Sequence, residues 1–142
     1  MSELARRTAA VEATRAHFAG KPFAWGKVDC AKIGAFHLRQ MGRHDALGLS
    51  RAGTYRSALS ARRALARAGH ESLSAALDSI GLVRIPPAAA LPGDIVLTPG
   101  TDDWEALGII AGNDAVLSFH EDADGLDYAR VFDWSAAEAW RV

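Results

Sequence analysis

Cys30 is the one cysteine among 142 residues, and its neighbours place it where a thiol can become a nucleophile. Asp29 before it is a residue type that caps helices, and Ile33, Phe36, Leu38 and Met41 after it recur at roughly helical spacing. A thiol on the first turn of a helix gains from the partial positive charge there, which favours the thiolate. The unpaired N–H groups of that turn could also supply part of an oxyanion hole. A thiol hydrolase needs a base as well, and His120 is the candidate, because it follows Ser118 by two positions and so shares its face of a strand. Two plainer readings stand beside these. Free cysteine is commonly buried as a small hydrophobe, and His120, set among Glu121, Asp122 and Asp124, fits a surface turn.

The remaining chemistry-bearing residues offer less. His37 falls about two turns along the Cys30 helix, at a poor angle to the thiol, and His17, His44 and His70 fall near element ends and are expected to face solvent. No two histidines have metal-motif spacing on one helix. A single cysteine excludes an internal disulfide and a cysteine-rich zinc site, so folding must rest on packing; no metal and no cofactor is expected. Asp102, Asp103 and Glu105 form one acidic cluster and Glu121, Asp122, Asp124 and Asp127 another; they fit a solvated rim, without the ordered spacing of a calcium loop. Trp25, Trp104, Trp134 and Trp140 fit core or edge positions, with Trp134 and Trp140 as alternative anchors of a protein interface.

Periodicity and punctuation predict the elements that position these residues. Residues 2–18, alanine-rich and glycine-free, predict an opening helix capped by Ser2 and ended by Gly20. Cys30–Gln40 predicts a second helix, with Asp29 as cap and Gly42 as stop. Residues 55–68 predict a third, closed by Gly69, with Arg62, Arg63 and Arg67 on its wet face, and residues 71–80 a short fourth stopped by Gly81. After Pro86 and Pro87 the segments 93–97, 107–111, 115–119 and 126–132 are short, apolar and partly β-branched, which predicts strands. The Gly112-Asn113-Asp114 break predicts a hairpin between the second and third. N-terminal helices followed by an antiparallel sheet of about four or more strands predict an α+β fold, read as a single domain over residues 1–142.

Composition narrows the function. A formal net charge of −1 gives no broad attraction to nucleic acid or anionic lipid, and neither is expected as a partner. The charged, alanine-rich first residues read as neither a signal peptide nor a membrane span.

Pro22-Phe23-Ala24-Trp25-Gly26-Lys27-Val28-Asp29-Cys30, with Leu91-Pro92-Gly93-Asp94-Ile95-Val96-Leu97 and Leu107-Gly108-Ile109-Ile110-Ala111-Gly112-Asn113, resembles the NlpC/P60 family of papain-like peptidoglycan hydrolases. In that family a Pro-Tyr-x-Trp-Gly-Gly-x-Asp-Cys-Ser segment presents the nucleophile, Pro-Gly-Asp starts the first strand, and His-Val-Gly-Ile opens the next. Pro22, Trp25, Gly26, Asp29, Cys30, Pro92, Gly93, Asp94, Gly108, Ile109 and Gly112 correspond directly. The chain is more similar still to a divergent branch of small proteins from the tail modules of phages, prophages and gene transfer agents, through Asp29-Cys30, residues 54–57, 93–97, 106–109 and the terminal Ala139-Trp140-Arg141-Val142.

The resemblance implies a papain-like fold with Cys30 in the nucleophile position, and it also implies losses. Ala106 stands where active relatives place the general-base histidine, Phe23 replaces a tyrosine, Ala31 replaces the serine after the cysteine, and Ser118 falls at the polar orienting position. The expectation is a scaffold kept while the reaction was lost. On this reading the chain is a pseudoenzyme of a tail tip or hub, assembled in the bacterial cytoplasm, resident in the virion tail and docked to other tail-tip or hub proteins. The alternative is an active thiol hydrolase of peptidoglycan stem peptides, with Cys30 as nucleophile and His120 as a relocated base. A third possibility is a cleft that binds cell-wall peptide without cutting it.

Overall fold

A computed structural model of the chain describes residues 2–43, 55–99, 105–119, 125–130 and 134–142. Within them four helices, α1 (Glu3–Phe18), α2 (Cys30–Gln40), α3 (Ala58–Arg67) and α4 (Leu73–Ser79), precede six strands. The strands are β1 (Val83–Ile85), β2 (Ile95–Thr98), β3 (Ala106–Gly112), β4 (Ala115–Ser118), β5 (Asp127–Arg130) and β6 (Glu138–Arg141), with a short 3-10 turn at Pro87–Ala89. The sheet runs β1-β6-β2-β3-β4-β5 and every pairing is antiparallel. The chain is therefore α+β, as its sequence predicts.

Local chemistry accounts for the helix boundaries. Ser2 accepts a hydrogen bond from the Ala5 N–H at 3.1 Å and starts α1, and Asp29 accepts from the Lys32 N–H at 3.0 Å and starts α2. The third helix begins later than its composition suggests. Ser57 and Ser60 form a reciprocal capping box, with the Ser60 N–H donating to Ser57 at 3.1 Å. Tyr55 is thereby left in the connection before α3, and it is buried. Likewise Ser72 caps α4, so that helix starts at Leu73.

Strand alternation divides the sheet into two faces. Ile95, Leu97, Leu107, Ile109, Leu117 and Trp140 join Val11, Phe18, Ile33, Leu38, Leu65 and Leu77 in the main core against the helices. Val96, Ile110 and Val116 form a smaller cluster on the opposite face, with Trp134, Ala90 and Ala137 packed on it. The predicted hairpin joins β3 to β4, with Asn113 at φ 52° and Asp114 at φ 60°, the left-handed pair that a tight two-residue turn demands.

Trp140 does not anchor an external interface. It is fully buried, donates from its indole N–H to Asp78 at 2.9 Å, and carries the Arg84 guanidinium over its ring at 5.0 Å. Trp134 is half-buried on the outer face, and Trp104 lies outside the described residues. Among the described residues no helix is long and apolar enough to cross a membrane.

Candidate functional site

The segment that delivers Cys30 is a closed turn. Ala24 and Val28 exchange both backbone hydrogen bonds at 2.8 Å, and the Gly26 N–H donates to the Asp29 carboxylate at 2.7 Å. Asp29 thus ties the turn to α2 with one oxygen on each side. Gly26 sits at φ +79°, and a Cβ there would lie 2.5 Å from the Tyr55 carbonyl oxygen. Only glycine satisfies both the dihedral and the close approach. Phe23 packs edge-to-face against Trp25 at 4.9 Å and against Phe119 at 5.3 Å, which joins this turn to the end of β4.

At the end of the turn the Cys30 thiol is buried, 7% exposed, within the main core. Burial pushes it up to about 11; the backbone N–H of Leu107 works against this, the Asp29 charge reinforces it, and the N–H of Cys30 itself offsets it slightly. A thiol at that value is ionised in roughly one molecule in ten thousand at neutral pH. The helix-terminus effect that favours a thiolate is worth only about 0.3–1 kcal/mol at an exposed site. Removal of the sulfur from water outweighs it.

Tyr55 closes the site from the other side and was not foreseen as a site residue. Its side chain is 1% exposed, and its phenol is raised well above the ordinary range, first by burial and then by the neighbouring Asp29 carboxylate, with a smaller contribution from Cys30. The hydroxyl makes no hydrogen bond of good geometry, and the Asp29 carboxylate beside it acts through its charge and as a nearby acceptor. The signal that could have found it is the Ser57-x-x-Ser60 box, which starts α3 after Tyr55.

The other named positions are scattered. Ala31 is buried on α2 in the core. Ala106 opens β3 opposite Thr98, and strand alternation gives it the same face as Gly108, whose Cβ position would meet Val116 and Val96 of the outer cluster. Ser118 ends β4 opposite Asp127, on the face of Val116, whereas Leu117 beside it enters the core that holds Cys30. The structure therefore does not bring Ser118 to the sulfur. His120 lies outside the described residues, as does His44.

The three described histidines are engaged elsewhere. His37 is fully buried, with Nε2 on the Gly93 carbonyl at 2.7 Å and Nδ1 on the Thr14 hydroxyl at 3.1 Å. His17 is exposed and stacks on Phe36 at 4.2 Å. His70 meets the Ser79 hydroxyl at 3.4 Å. None of them acts on Cys30.

Two acidic residues have structural duties that composition alone did not reveal. Glu105, read above as part of a solvated rim, accepts from the Leu73 N–H at 3.2 Å and the Ser74 hydroxyl at 2.8 Å at the start of α4. Asp94 of the Pro-Gly-Asp segment is fully buried and takes four hydrogen bonds. They come from Arg7 at 3.0 Å, Arg141 at 2.8 Å, and the backbone N–H groups of Leu91 at 2.8 Å and Val142 at 3.0 Å. Asp127 lies exposed on β5, and Asp102, Asp103, Glu121, Asp122 and Asp124 fall outside the described residues. Among the described residues no group of three or more His, Cys, Asp or Glu could hold a metal ion.

No curated protein matches the chain, and no solved structure does. A family does: its description is "domain of unknown function (DUF6950)", and it matches residues 2–142. Since that match covers the helices, the sheet and the turn that carries Cys30 alike, the chain belongs to the DUF6950 family.

Proposed function

We propose that the chain is a catalytically silent, NlpC/P60-type domain that serves as a docking component of a phage-type tail tip. One observation carries the silent half of this reading: the Cys30 thiol is buried and held protonated, at about 11, with the described histidines all bonded or stacked elsewhere. A nucleophile needs the opposite, an accessible thiol of depressed pKa beside a base. The docking half rests on the sequence resemblance to tail-module proteins, which runs from Asp29-Cys30 to Ala139-Trp140-Arg141-Val142.

Alkylation by iodoacetamide at neutral pH tests the silent half. The expected rate is at or below that of free cysteine and unchanged in His120→Ala. Alkylation faster than free cysteine that collapses in His120→Ala would overturn it. For the docking half, mass spectrometry of purified tail particles is expected to find the chain in fixed stoichiometry, and its absence from intact particles removes the assignment.

A second reading, an active thiol hydrolase of peptidoglycan stem peptides with Cys30 and His120, is favoured by one specific feature. The N–H groups of Leu107 and Cys30 both act on the sulfur in the sense that favours its thiolate, the form a nucleophile needs. Release of new amino groups from purified sacculi, abolished in Cys30→Ser, would select it.

A further inference from the structure

Several arginines of this chain are held in ion pairs. Arg6 and Arg7 pair with Glu3, Arg7 and Arg141 with Asp94, Arg15 with Glu12, and Arg84 with Asp78 and Glu138. Arg39 on α2 and Arg130 on β5 stand singly, exposed and without an ion pair among the described residues. On α3 such residues cluster: Arg62, Arg63 and Arg67, with Arg56 just before the helix, are all exposed and make no ion pair among the described residues.

Their spacing puts them on one surface. Leu59, Arg62, Arg63 and Arg67 recur three and four residues apart and share one helix face, opposite the buried Ala61, Ala64 and Leu65. Leu59, at the start of that face, is 55% exposed. Arg63 and Arg67 form a like-charge pair four residues apart, an arrangement that destabilises an isolated helix. The first turn of α3 carries no acidic residue to offset the dipole or the neighbouring cations. Among the described residues no contact that folds α3 uses this cluster.

We propose that this face of α3 docks a carboxylate-bearing protein surface, with Arg62, Arg63 and Arg67 receiving Asp or Glu side chains and Leu59 entering an apolar socket among them. The proposal rests on the docking reading above and names the chemistry of the partner. Three observations favour a protein over another polyanion. The chain as a whole carries −1, so it lacks the broad positive field on which nucleic-acid and lipid binding depend. All the cations of the face are arginines, whose planar fork matches carboxylates in pairs and which are enriched in protein interfaces, where lysine is depleted. An exposed leucine among them gives a face with an apolar contact point ringed by charge, the arrangement of a protein interface.

The full-length chain can be titrated against a fluorescein-labelled synthetic peptide of repeating Glu-Glu-Leu. Parallel titrations use a Glu-Glu-Ser peptide, a DNA duplex, a single-stranded oligonucleotide and phosphatidylglycerol vesicles. The expected result is salt-sensitive binding of the Glu-Glu-Leu peptide, weakened at least about tenfold in Arg62→Glu/Arg63→Glu/Arg67→Glu and about threefold in Leu59→Ser. Arg62→Gln/Arg63→Gln, with circular dichroism as a fold check, separates lost charge from lost helix. Unchanged peptide binding in the folded charge variants overturns the proposal, and so does tighter binding of either nucleic acid or of the vesicles. Equal binding of the Glu-Glu-Ser peptide overturns the socket for Leu59. Peptide binding by a chain absent from intact tail particles removes the tail assignment alone, and a chain present in the particles that binds no peptide removes this proposal alone.

Discussion

His37 is neutral in the folded chain because burial takes its ring out of water, and the hydrogen bonds divide accordingly. Its Nε2–H donates to the Gly93 carbonyl, which can only accept, and Nδ1 faces the Thr14 hydroxyl, whose single proton is shared between Nδ1 and the Ala10 carbonyl at 2.9 Å. Burial lowers the imidazole most; the Gly93 carbonyl and the Asp94 charge work against it, and Arg7 adds to it. A folded value below the ordinary one means that the unfolded chain binds the proton more readily. Neutral His37 therefore contributes its full stability above about pH 6.5, and that contribution shrinks as pH falls below this toward the folded value. Urea midpoints are expected to drop over this interval, with a shallower slope in His37→Gln; equal slopes in both proteins would refute the assignment. At the same scale Cys30 is instructive. Its place at the start of a helix is legible from Asp29 and from the apolar spacing beyond. Its chemical state is not, because burial sets it and the Leu107 N–H only moderates it, and both depend on packing between segments remote in sequence.

At the scale of elements, two small structures hold the architecture. The turn before α2 depends on Gly26, and Gly26→Ala is expected to cost about 2 kcal/mol, because it combines a left-handed φ with a Cβ driven into the Tyr55 carbonyl. Thermal unfolding would show it as a lowered midpoint. The second is the Asp94 node, where one carboxylate joins α1, the start of β2 and the end of β6. Asp94→Asn leaves the buried Arg7 guanidinium without its buried counter-charge, with only the exposed Glu3 remaining, and an unfolding free energy lower by about 3 kcal/mol is expected in urea titration. A loss below about 1 kcal/mol would mean that solvent reaches the pair. Elements whose signals are local could be read in advance: α1 and α2 through caps and glycine stops, and the β3–β4 hairpin through Gly112-Asn113-Asp114. β1 and β6 could not. Val83 and Arg84 are exposed and Ile85 is half-buried, so β1 shows no alternation, and β6 carries Glu138 and Arg141 at its ends. Both exist because they pair with each other, through Val83 with Arg141 and Ile85 with Ala139, a relation that no short window of sequence expresses.

For the molecule as a whole, the division of labour between sheet faces decides where function can sit. The inner face is committed to the helices, in the core that holds Cys30, whereas the outer face, among the described residues, carries the small cluster around Val96, Ile110 and Val116. Gly108 is what lets these two valines meet across β3: a Cβ there would lie 2.2 Å from a Val116 methyl and 3.3 Å from one of Val96. Gly108→Ala is expected to destabilise by about 1–3 kcal/mol through overpacking, without changing Cys30 alkylation, since the clash falls on the face opposite the thiol. A faster alkylation in that variant would show that the two faces are coupled. The order β1-β6-β2 has a further consequence in time. During synthesis β1 and β2 leave the ribosome long before β6, and they have no bond to each other to form while they wait. The strand that fills the gap is the last of the six to be made, so the facing edges of β1 and β2 stay unpaired in the nascent chain until then, open to non-native pairing over that interval.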